Sequence, residues 1–193
     1  MIIGLTGGSG TGKSTVSKAF ENAGYAVIDL DKTYSRVITP PSECLCEISK
    51  AFGEKYILQD GTLDRKEMGK LVFSDSEKLD ILNKITHKYI IEEMHREIDM
   101  AGGKDIVLDA PILFKAGIDK MCDCVVCVVA DKNMRVERIV ARDGISEEKA
   151  VARINAQMTN EEYIEKSDFI IENNGDIDTL NSDTLKLIER LKG

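Results

Sequence analysis

The stretch that decides the fold is Gly7-Gly8-Ser9-Gly10-Thr11-Gly12-Lys13-Ser14, which matches the pattern G-x-x-x-x-G-K-[ST]. It follows the apolar run of residues 1–6 and precedes residues 13–23, whose apolar periodicity predicts a helix that ends before Gly24. A glycine loop between a strand and a helix is the setting in which this pattern binds phosphate. Glycines let successive backbone N–H groups turn inward around an anion, and the helix N-terminus adds a positive dipole end. The sequence therefore predicts a nucleoside-triphosphate site of the P-loop class.

Within this loop, Lys13 is expected to reach the β- and γ-phosphates, and the Ser14 hydroxyl is expected to ligate Mg²⁺. The expected ATP-binding residues of the loop are Gly8, Ser9, Gly10, Thr11, Gly12, Lys13, Ser14 and Thr15. A P-loop alone does not separate kinases from GTPases or motor-type ATPases. A GTPase is expected to carry an Asn-Lys-x-Asp run after a later strand, and residues 131–134 (Asp-Lys-Asn-Met) do not match it. The sequence favours a small kinase that uses ATP.

Four further apolar runs, at residues 25–30, 105–108, 123–130 and 169–172, alternate with helical segments. This alternation predicts an α/β fold in which a five-stranded parallel sheet lies between helices. Ligands of such folds bind beyond the carboxyl ends of the strands. We expect one domain over residues 1–193. Its core comprises residues 1–39, 103–131 and 167–193, and two inserted lobes cover residues 40–102, largely helical, and 132–166, a charged helical pair.

Polar residues follow three of the later strands. Asp29 and Asp31 end the second strand, which we expect beside the P-loop strand, and Asp31 is the preferred base for an acceptor hydroxyl. Its alternative role is the N-cap of the next helix. Asp109 ends the third strand, where it either supports Mg²⁺, directly or through water, or caps the turn before Pro111. Asn173 follows the fifth strand, where adenine is commonly held, although Asn-Asn-Gly is also a favourable turn.

Three arginines share one predicted helical face, because Arg135, Arg138 and Arg142 are spaced i, i+3 and i+7. Such a face would close over a triphosphate, with Arg153 and Gln157 on the next helix adding to it. The alternative is a solvated, salt-bridged pair of helices. Its acidic partners would be Glu137, Asp143, Glu147 and Glu148.

Composition excludes several classes of protein. The chain has 34 Asp plus Glu against 26 Lys plus Arg, which argues against nonspecific nucleic-acid binding. No apolar stretch approaches the roughly 20 residues that span a bilayer, and no basic leader precedes the first strand, so we expect a cytoplasmic protein. The five cysteines are expected to be reduced, and those at 124 and 127 to point to opposite faces of a strand rather than to bind metal.

The sequence resembles the dephospho-coenzyme A kinase family over nearly its whole length. The resemblance starts with residues 3–15 and with Asp29-Leu30-Asp31 followed by Arg36. Further matches follow in the family's order: Phe52-Gly53, Asp60-Gly61, Leu63-Asp64-Arg65, Val72-Phe73, His87, Pro111-Ile112-Leu113-Phe114, Arg138, Arg142-Asp143-Gly144, Arg153, Gln157 and Asn173-x-Gly175. The chain departs from the pattern at Lys88, Lys115, Arg135 and Tyr163, where proline, glutamate, glutamine and lysine are usual.

This resemblance implies transfer of phosphate from ATP, with Mg²⁺, to the ribose 3′-hydroxyl of dephospho-coenzyme A. Residues 40–102 would then be the acceptor-binding lobe and residues 132–166 a lid over ATP. The implied catalytic residues are Asp31, Lys13 and Arg142, and Arg138, Arg142 and Asn173 would also bind ATP. The implied acceptor contacts are Asp31, Arg36, Arg65, His87, Pro111 and Leu113. We expect a monomer or weak homo-oligomer. The alternatives are another small-molecule kinase, of shikimate or nucleotide type, and a nucleotide-gated binding protein without rapid chemistry.

Overall fold

A computed structural model describes residues 1–192 and contains the predicted five-stranded parallel sheet between helices. The strands are β1 (Ile2–Thr6), β2 (Ala26–Asp29), β3 (Ile106–Asp109), β4 (Cys124–Val129) and β5 (Phe169–Glu172). They lie in the order β2-β3-β1-β4-β5. Strand β1 pairs in parallel with β3 and with β4, and β4 pairs in parallel with β5. The P-loop strand β1 is therefore the central strand of the sheet.

The predicted neighbour of the P-loop strand was wrong. We expected β2 beside β1, but β3 lies between them, with Ile2 opposite Ile106 and Leu5 opposite Asp109. All four residues of β3 are buried, whereas only one residue of β2 is buried. A strand buried on both faces belongs in the middle of a sheet and a half-exposed one at its edge. The order places Asp109 of β3, rather than Asp29 of β2, next to the strand that carries the P-loop.

Among the described residues the α-helices are α1 (Lys13–Asn22), α2 (Leu30–Val37), α3 (Glu43–Phe52), α4 (Arg65–Phe73), α5 (Ser76–Met100), α6 (Lys132–Asp143), α7 (Glu147–Asn155), α8 (Asn160–Glu165) and α9 (Ile177–Leu191). The predicted helical pair over residues 132–166 is thus three helices. The third begins at a capping box, in which Thr159 accepts from the Glu162 N–H and the Glu162 carboxylate accepts from the Thr159 N–H. That S/T-x-x-E signature is readable in the sequence.

The chain forms two compact units. One contains Met1–Ile28 and the chain from Gly103 onward. Its core packs the sheet against α1 and α9 and includes Ile3, Leu5, Phe20, Val126 and Leu180. The other unit is Asp29–Gly102, which starts earlier than the predicted lobe boundary at residue 40 because it includes α2. It has its own core of Ile48, Met68, Val72 and Ile85, among others.

The cysteines and the absence of a spanning helix complete the outline. All five cysteines are free, and Cys124 and Cys127 pack into different apolar clusters, which confirms that they point to opposite faces of β4. Among residues 1–192, no group of three or more His, Cys, Asp or Glu side chains is arranged to hold a metal. Within the same residues no helix has the length and apolar character to cross a membrane.

Candidate active site

The loop between β1 and α1 follows a path that only glycine permits at two crowded positions. Gly10 has φ 79° and Gly12 has φ 94°, both in the left-handed region. A Cβ at Gly10 would lie 2.7 Å from the carbonyl oxygen of Arg135, and one at Gly12 would lie 2.2 Å from Nδ2 of Asn173. Neighbouring residues therefore press directly on the loop backbone, and any larger residue at either position would displace them.

The carbonyl groups of the loop accept hydrogen bonds from side chains. Four consecutive carbonyl oxygens are bonded in this way. The pairs are Gly8 with Thr11 Oγ1 at 2.9 Å, Ser9 with Arg135 Nε at 3.0 Å, Gly10 with Arg138 Nη1 at 3.3 Å, and Thr11 with Asn173 Nδ2 at 2.8 Å. Helix α1 starts after Gly12 with no side-chain cap, and the Gly12 carbonyl accepts from the Thr15 N–H at 2.9 Å, so the Lys13 and Ser14 N–H groups are the ones left to point at a ligand. The loop and helix start thus form a site for an anion.

Lys13 and Asp109 form an ion pair at this site. The Lys13 ammonium donates to the Asp109 carboxylate, and only 15% and 9% of the two side chains are exposed. Ser14, one residue along α1, is exposed. It lines a cavity of about 710 Å³ with Thr15, Lys18, Asn22, Asn181 and Leu185 among its other walls. A serine hydroxyl and a carboxylate are oxygen ligands of the type that Mg²⁺ takes, so the residues present fit that ion.

The three arginines of α6 do not act as one face. Arg135 and Arg138 reach the P-loop, but Arg142 is exposed and donates to Asp143 at 2.7 and 3.0 Å. Arg153 of α7 pairs with the same carboxylate. The three side chains therefore have different partners in this structure, and contact of Arg142 with a triphosphate stays a prediction. Residues seven apart on a helix are separated by about 10 Å along its axis, which carries Arg142 beyond the loop that Arg135 touches.

Gln157 contacts the loop in a way that the sequence did not reveal. Its Oε1 accepts from the Ser9 N–H at 2.9 Å and from Arg135 Nη2 at 3.1 Å, and its Nε2 donates to Ser9 Oγ at 3.1 Å. Arg135 Nη1 also donates to Asn160 Oδ1 at 3.3 Å. The spacing of Arg153 and Gln157 suggested phosphate contacts, but Gln157 instead holds the protein's own backbone. A contact made across about 150 residues of sequence has no local pattern that could predict it.

Asn173 is buried at the loop rather than presented to solvent. Its side chain donates to the Thr11 carbonyl, while its own carbonyl and side-chain oxygens accept from Arg138 at 3.1 and 3.3 Å. The neighbouring Asn174 accepts from the Asp131 N–H at 2.8 Å. These bonds fix β5 and α6 against the P-loop. Contact between Asn173 and adenine stays a prediction.

In the Asp29–Gly102 unit, Asp29 and not Asp31 caps the helix that follows β2. The Asp29 Oδ1 accepts from the N–H groups of Asp31 and Lys32, both at 3.1 Å. Asp31 lies inside the first turn of α2 and is exposed. The alternative role of Asp31 as N-cap is therefore wrong.

The predicted acceptor contacts of this unit lie on several helices. Arg36 of α2 pairs with Glu97 of α5. It also lines a polar cavity of about 320 Å³, together with Cys44, Tyr89, Glu93 and Arg96 among others. Arg65 lies over the ring of Tyr34, 5.9 Å from its centre. His87 is half-buried on α5, and burial lowers the pKa of its imidazole.

Two predicted acceptor contacts follow β3 in the other unit. Leu113 is fully buried, and a Cβ at Gly4 would lie 2.8 Å from its Cδ2, so its side chain packs against β1. Pro111 is partly exposed and lines a small cavity with Phe114, Gln157 and Tyr163. Pro111 is accessible to a ligand here and the Leu113 side chain is not.

The geometry agrees with comparisons to known proteins. The family model described as dephospho-CoA kinase matches residues 1–179. The dephospho-CoA kinase of Fusobacterium nucleatum is 40% identical over 98% of this chain and 96% of its own length. That of Carboxydothermus hydrogenoformans is 37% identical over 99% of this chain and 94% of its own. The structure of dephospho-CoA kinase from Campylobacter jejuni superposes with a TM-score of 0.72 at 26% identity, covering 98% of this chain and 96% of that one. The chain belongs to the dephospho-CoA kinase family.

Proposed function

We propose that this protein transfers the γ-phosphoryl group of ATP to the ribose 3′-hydroxyl of dephospho-coenzyme A, which yields coenzyme A and ADP. The observation that carries the proposal is the P-loop, whose four consecutive carbonyl groups accept hydrogen bonds from side chains, in a chain whose relatives are named as dephospho-CoA kinases. In the transfer, the bond between the γ-phosphorus and the β,γ-bridging oxygen breaks. A bond from the acceptor oxygen to phosphorus forms, and the hydroxyl proton leaves to a base.

The donor side of the reaction falls to the P-loop and the arginines. The backbone amide groups at the end of the loop and the start of α1, together with the Lys13 ammonium, would bind the triphosphate, and Lys13 would leave Asp109 in part to do so. Arg138 already borders the loop, and Arg142 would leave Asp143 to meet charge that develops on the transferred phosphoryl group. Residues 132–166, which carry both arginines, would serve as the lid.

Mg²⁺ would be held by the Ser14 hydroxyl and, directly or through water, by Asp109. When bound, it neutralises charge on the β- and γ-phosphates and so favours departure of ADP. Both oxygen groups are present at the loop.

The acceptor side falls to Asp31 and the lobe of residues 40–102. Asp29 is the N-cap of α2, so Asp31 does not have that role, and the Asp31 carboxylate would accept the proton of the 3′-hydroxyl. Arg36, Arg65 and His87 would bind the anionic acceptor, and Pro111 would border it. Leu113 is fully buried and would contribute indirectly, by supporting the position of Pro111. We further propose that the enzyme works in the cytoplasm as a monomer or weak homo-oligomer.

The test is an acceptor panel. The protein is incubated with ATP and Mg²⁺ and with dephospho-coenzyme A, shikimate, AMP or no acceptor, and ADP and phosphorylated products are measured by mass spectrometry. Dephospho-coenzyme A should give coenzyme A and ADP in equal amounts, with the 3′ position confirmed by phosphorus NMR, and Lys13→Ala should abolish the product. Phosphorylation of another acceptor only would identify a different small-molecule kinase. Tight ATP binding without product from any acceptor would identify a nucleotide-gated binding protein.

A further inference from the structure

Arg135 is a buried cation whose partners are all neutral. Only 3% of the residue is exposed. Its guanidinium donates to the Ser9 carbonyl at 3.0 Å, to Gln157 Oε1 at 3.1 Å and to Asn160 Oδ1 at 3.3 Å. Across residues 1–192, no carboxylate forms an ion pair with it. Burial lowers the pKa of this guanidinium, but arginine remains protonated at neutral pH.

A charge in this position costs free energy in the ligand-free protein. Hydrogen bonds to amide and carbonyl oxygens replace part of the lost hydration, but they do not neutralise the charge. Removing a charge that lacks a counter-charge should therefore lower the free energy of unfolding only slightly, or even raise it, as long as the hydrogen bonds are retained. Lys13, a partly buried cation at the loop, differs because Asp109 balances its charge.

Arg135 also touches the phosphate-binding loop on two sides. It donates to the Ser9 carbonyl, and through Gln157 it is connected to the Ser9 N–H and hydroxyl. A Cβ at Gly8 would lie 2.3 Å from Arg135 Nη2, so the guanidinium is in direct contact with the loop backbone. A phosphate group bound by the loop would therefore place a negative charge close to the Arg135 guanidinium.

We propose that Arg135 is a positioning residue for the Ser9 turn of the P-loop, and that its uncompensated charge is balanced by the polyphosphate of the nucleotide. Arg135 holds the loop through Ser9 and Gln157, and its field favours an anion in a site of low dielectric constant. This inference deepens the proposed function, on which it rests for the nature of the donor. It does not depend on the identity of the acceptor.

The first experiment compares Arg135→Gln with Arg135→Lys. Binding of ATP and of inorganic tripolyphosphate is measured by calorimetry without acceptor, and thermal unfolding is followed with and without ligand. Arg135→Gln should weaken tripolyphosphate binding roughly 10- to 100-fold. Without ligand the unfolding temperature should change little, because glutamine removes the unbalanced charge but also loses part of the three hydrogen bonds. Arg135→Lys keeps the charge and should recover most of the affinity.

A control variant separates local from global charge. Arg190→Gln changes the net charge equally, but Arg190 lies on α9 against the ring of Phe169. It should leave tripolyphosphate affinity unchanged. A ligand-free protein that is destabilised by Arg135→Gln while its anion affinity is unchanged would overturn the proposal, since Arg135 would then be only structural. Equal loss of affinity in the Gln and Lys variants would overturn the role of the charge. If Arg135→Gln does not fold, loss of affinity greater than tenfold in a folded Arg135→Lys would have the same meaning.

The second experiment supplies the missing counter-charge. Gln157→Glu places a carboxylate where Gln157 Oε1 now accepts from Arg135 and from the Ser9 N–H. The ligand-free unfolding temperature should rise and tripolyphosphate affinity should fall. A lower unfolding temperature together with unchanged affinity would contradict an uncompensated charge at Arg135. Because neither experiment contains an acceptor, failure in the acceptor panel leaves both results interpretable.

Discussion

The ammonium group of Lys13 in the P-loop donates a hydrogen bond to the carboxylate of Asp109, which lies 96 residues later at the end of β3. Strands β1 and β3 are neighbours with Leu5 opposite Asp109, so the sheet register brings the two charges together. Both side chains are largely buried, which strengthens their attraction relative to that of a surface pair. If Lys13 binds the triphosphate as proposed, the triphosphate must compete with Asp109 for its ammonium group.

Asp109→Asn should separate the two roles of this carboxylate. Without Mg²⁺, ATP should bind more tightly by a few-fold, because Lys13 no longer has a charged competitor. With Mg²⁺, turnover should fall by roughly 10- to 100-fold, the order of loss expected when a group that supports a metal is removed. Calorimetry and steady-state kinetics at several Mg²⁺ concentrations measure the two effects. Asp105→Asn is the control, since Asp105 pairs with the N-terminal ammonium instead. Equal turnover in wild type and Asp109→Asn would rule out a metal-supporting role.

Asp31→Asn should lower kcat by at least about 100-fold and leave ATP affinity nearly unchanged, because the change removes a proton acceptor and not a phosphate ligand. Rapid-quench measurement of coenzyme A formation gives the chemical step, and calorimetry gives ATP binding. Asp29→Asn is the matched control, because asparagine is also a favoured N-cap and should preserve the start of α2. A larger kcat loss in Asp29→Asn than in Asp31→Asn would assign the base to Asp29.

His87 should make the protein less stable in mild acid. Burial lowers the pKa of His87 in the folded state below its ordinary value of 6.5, so the unfolded chain binds the proton more readily. Above pH 6.5 the imidazole is neutral in both states, so it does not affect the free energy of unfolding. That free energy falls as the pH drops below 6.5 towards the folded pKa. Thermal unfolding between pH 8 and about 5 should show a smaller decline in His87→Gln than in wild type. His95→Gln, which replaces the exposed histidine of the same helix, should behave as wild type does. Identical pH profiles for all three proteins would remove His87 from this account.

ATP binding should slow hydrogen exchange in residues 132–166. In this structure Arg142 and Arg153 both pair with Asp143 at the exposed ends of α6 and α7. If Arg142 turns to the phosphates, that pair is exchanged for contacts in a less hydrated site, and opening of the helices should become rarer. Mass-spectrometric exchange with a non-hydrolysable ATP analogue measures this, with α4 as the internal reference. Unchanged exchange in α6 and α7 would favour a lid helix that stays solvated when ATP is bound.

The sequence by itself determined the class of fold and the donor site. Local patterns are sufficient there: the glycine loop needs only its own residues to turn, and the apolar runs of β1, β3 and β4 need only their composition to indicate buried parallel strands. The capping box of Thr159 and Glu162 is equally local, since its two residues are three apart in the sequence. Family membership followed from the order of motifs along the chain, which the comparisons confirm.

The tertiary structure alone decided which side chains hold that loop and which are held by something else. The order of β2, β3 and β1 depends on the burial of whole strands. Because β3 is the neighbour of β1, Asp109 rather than Asp29 lies beside the P-loop strand. The i, i+3, i+7 spacing places three arginines on one side of α6. The loop packs against the first part of the helix, so Arg135 is buried and Arg142 is exposed to solvent. Sequence spacing gives direction around a helix axis, whereas contact depends on how far along that axis a neighbour extends. Residues such as Gln157 meet the loop only after the chain has folded, since the bonds that they form join segments about 150 residues apart.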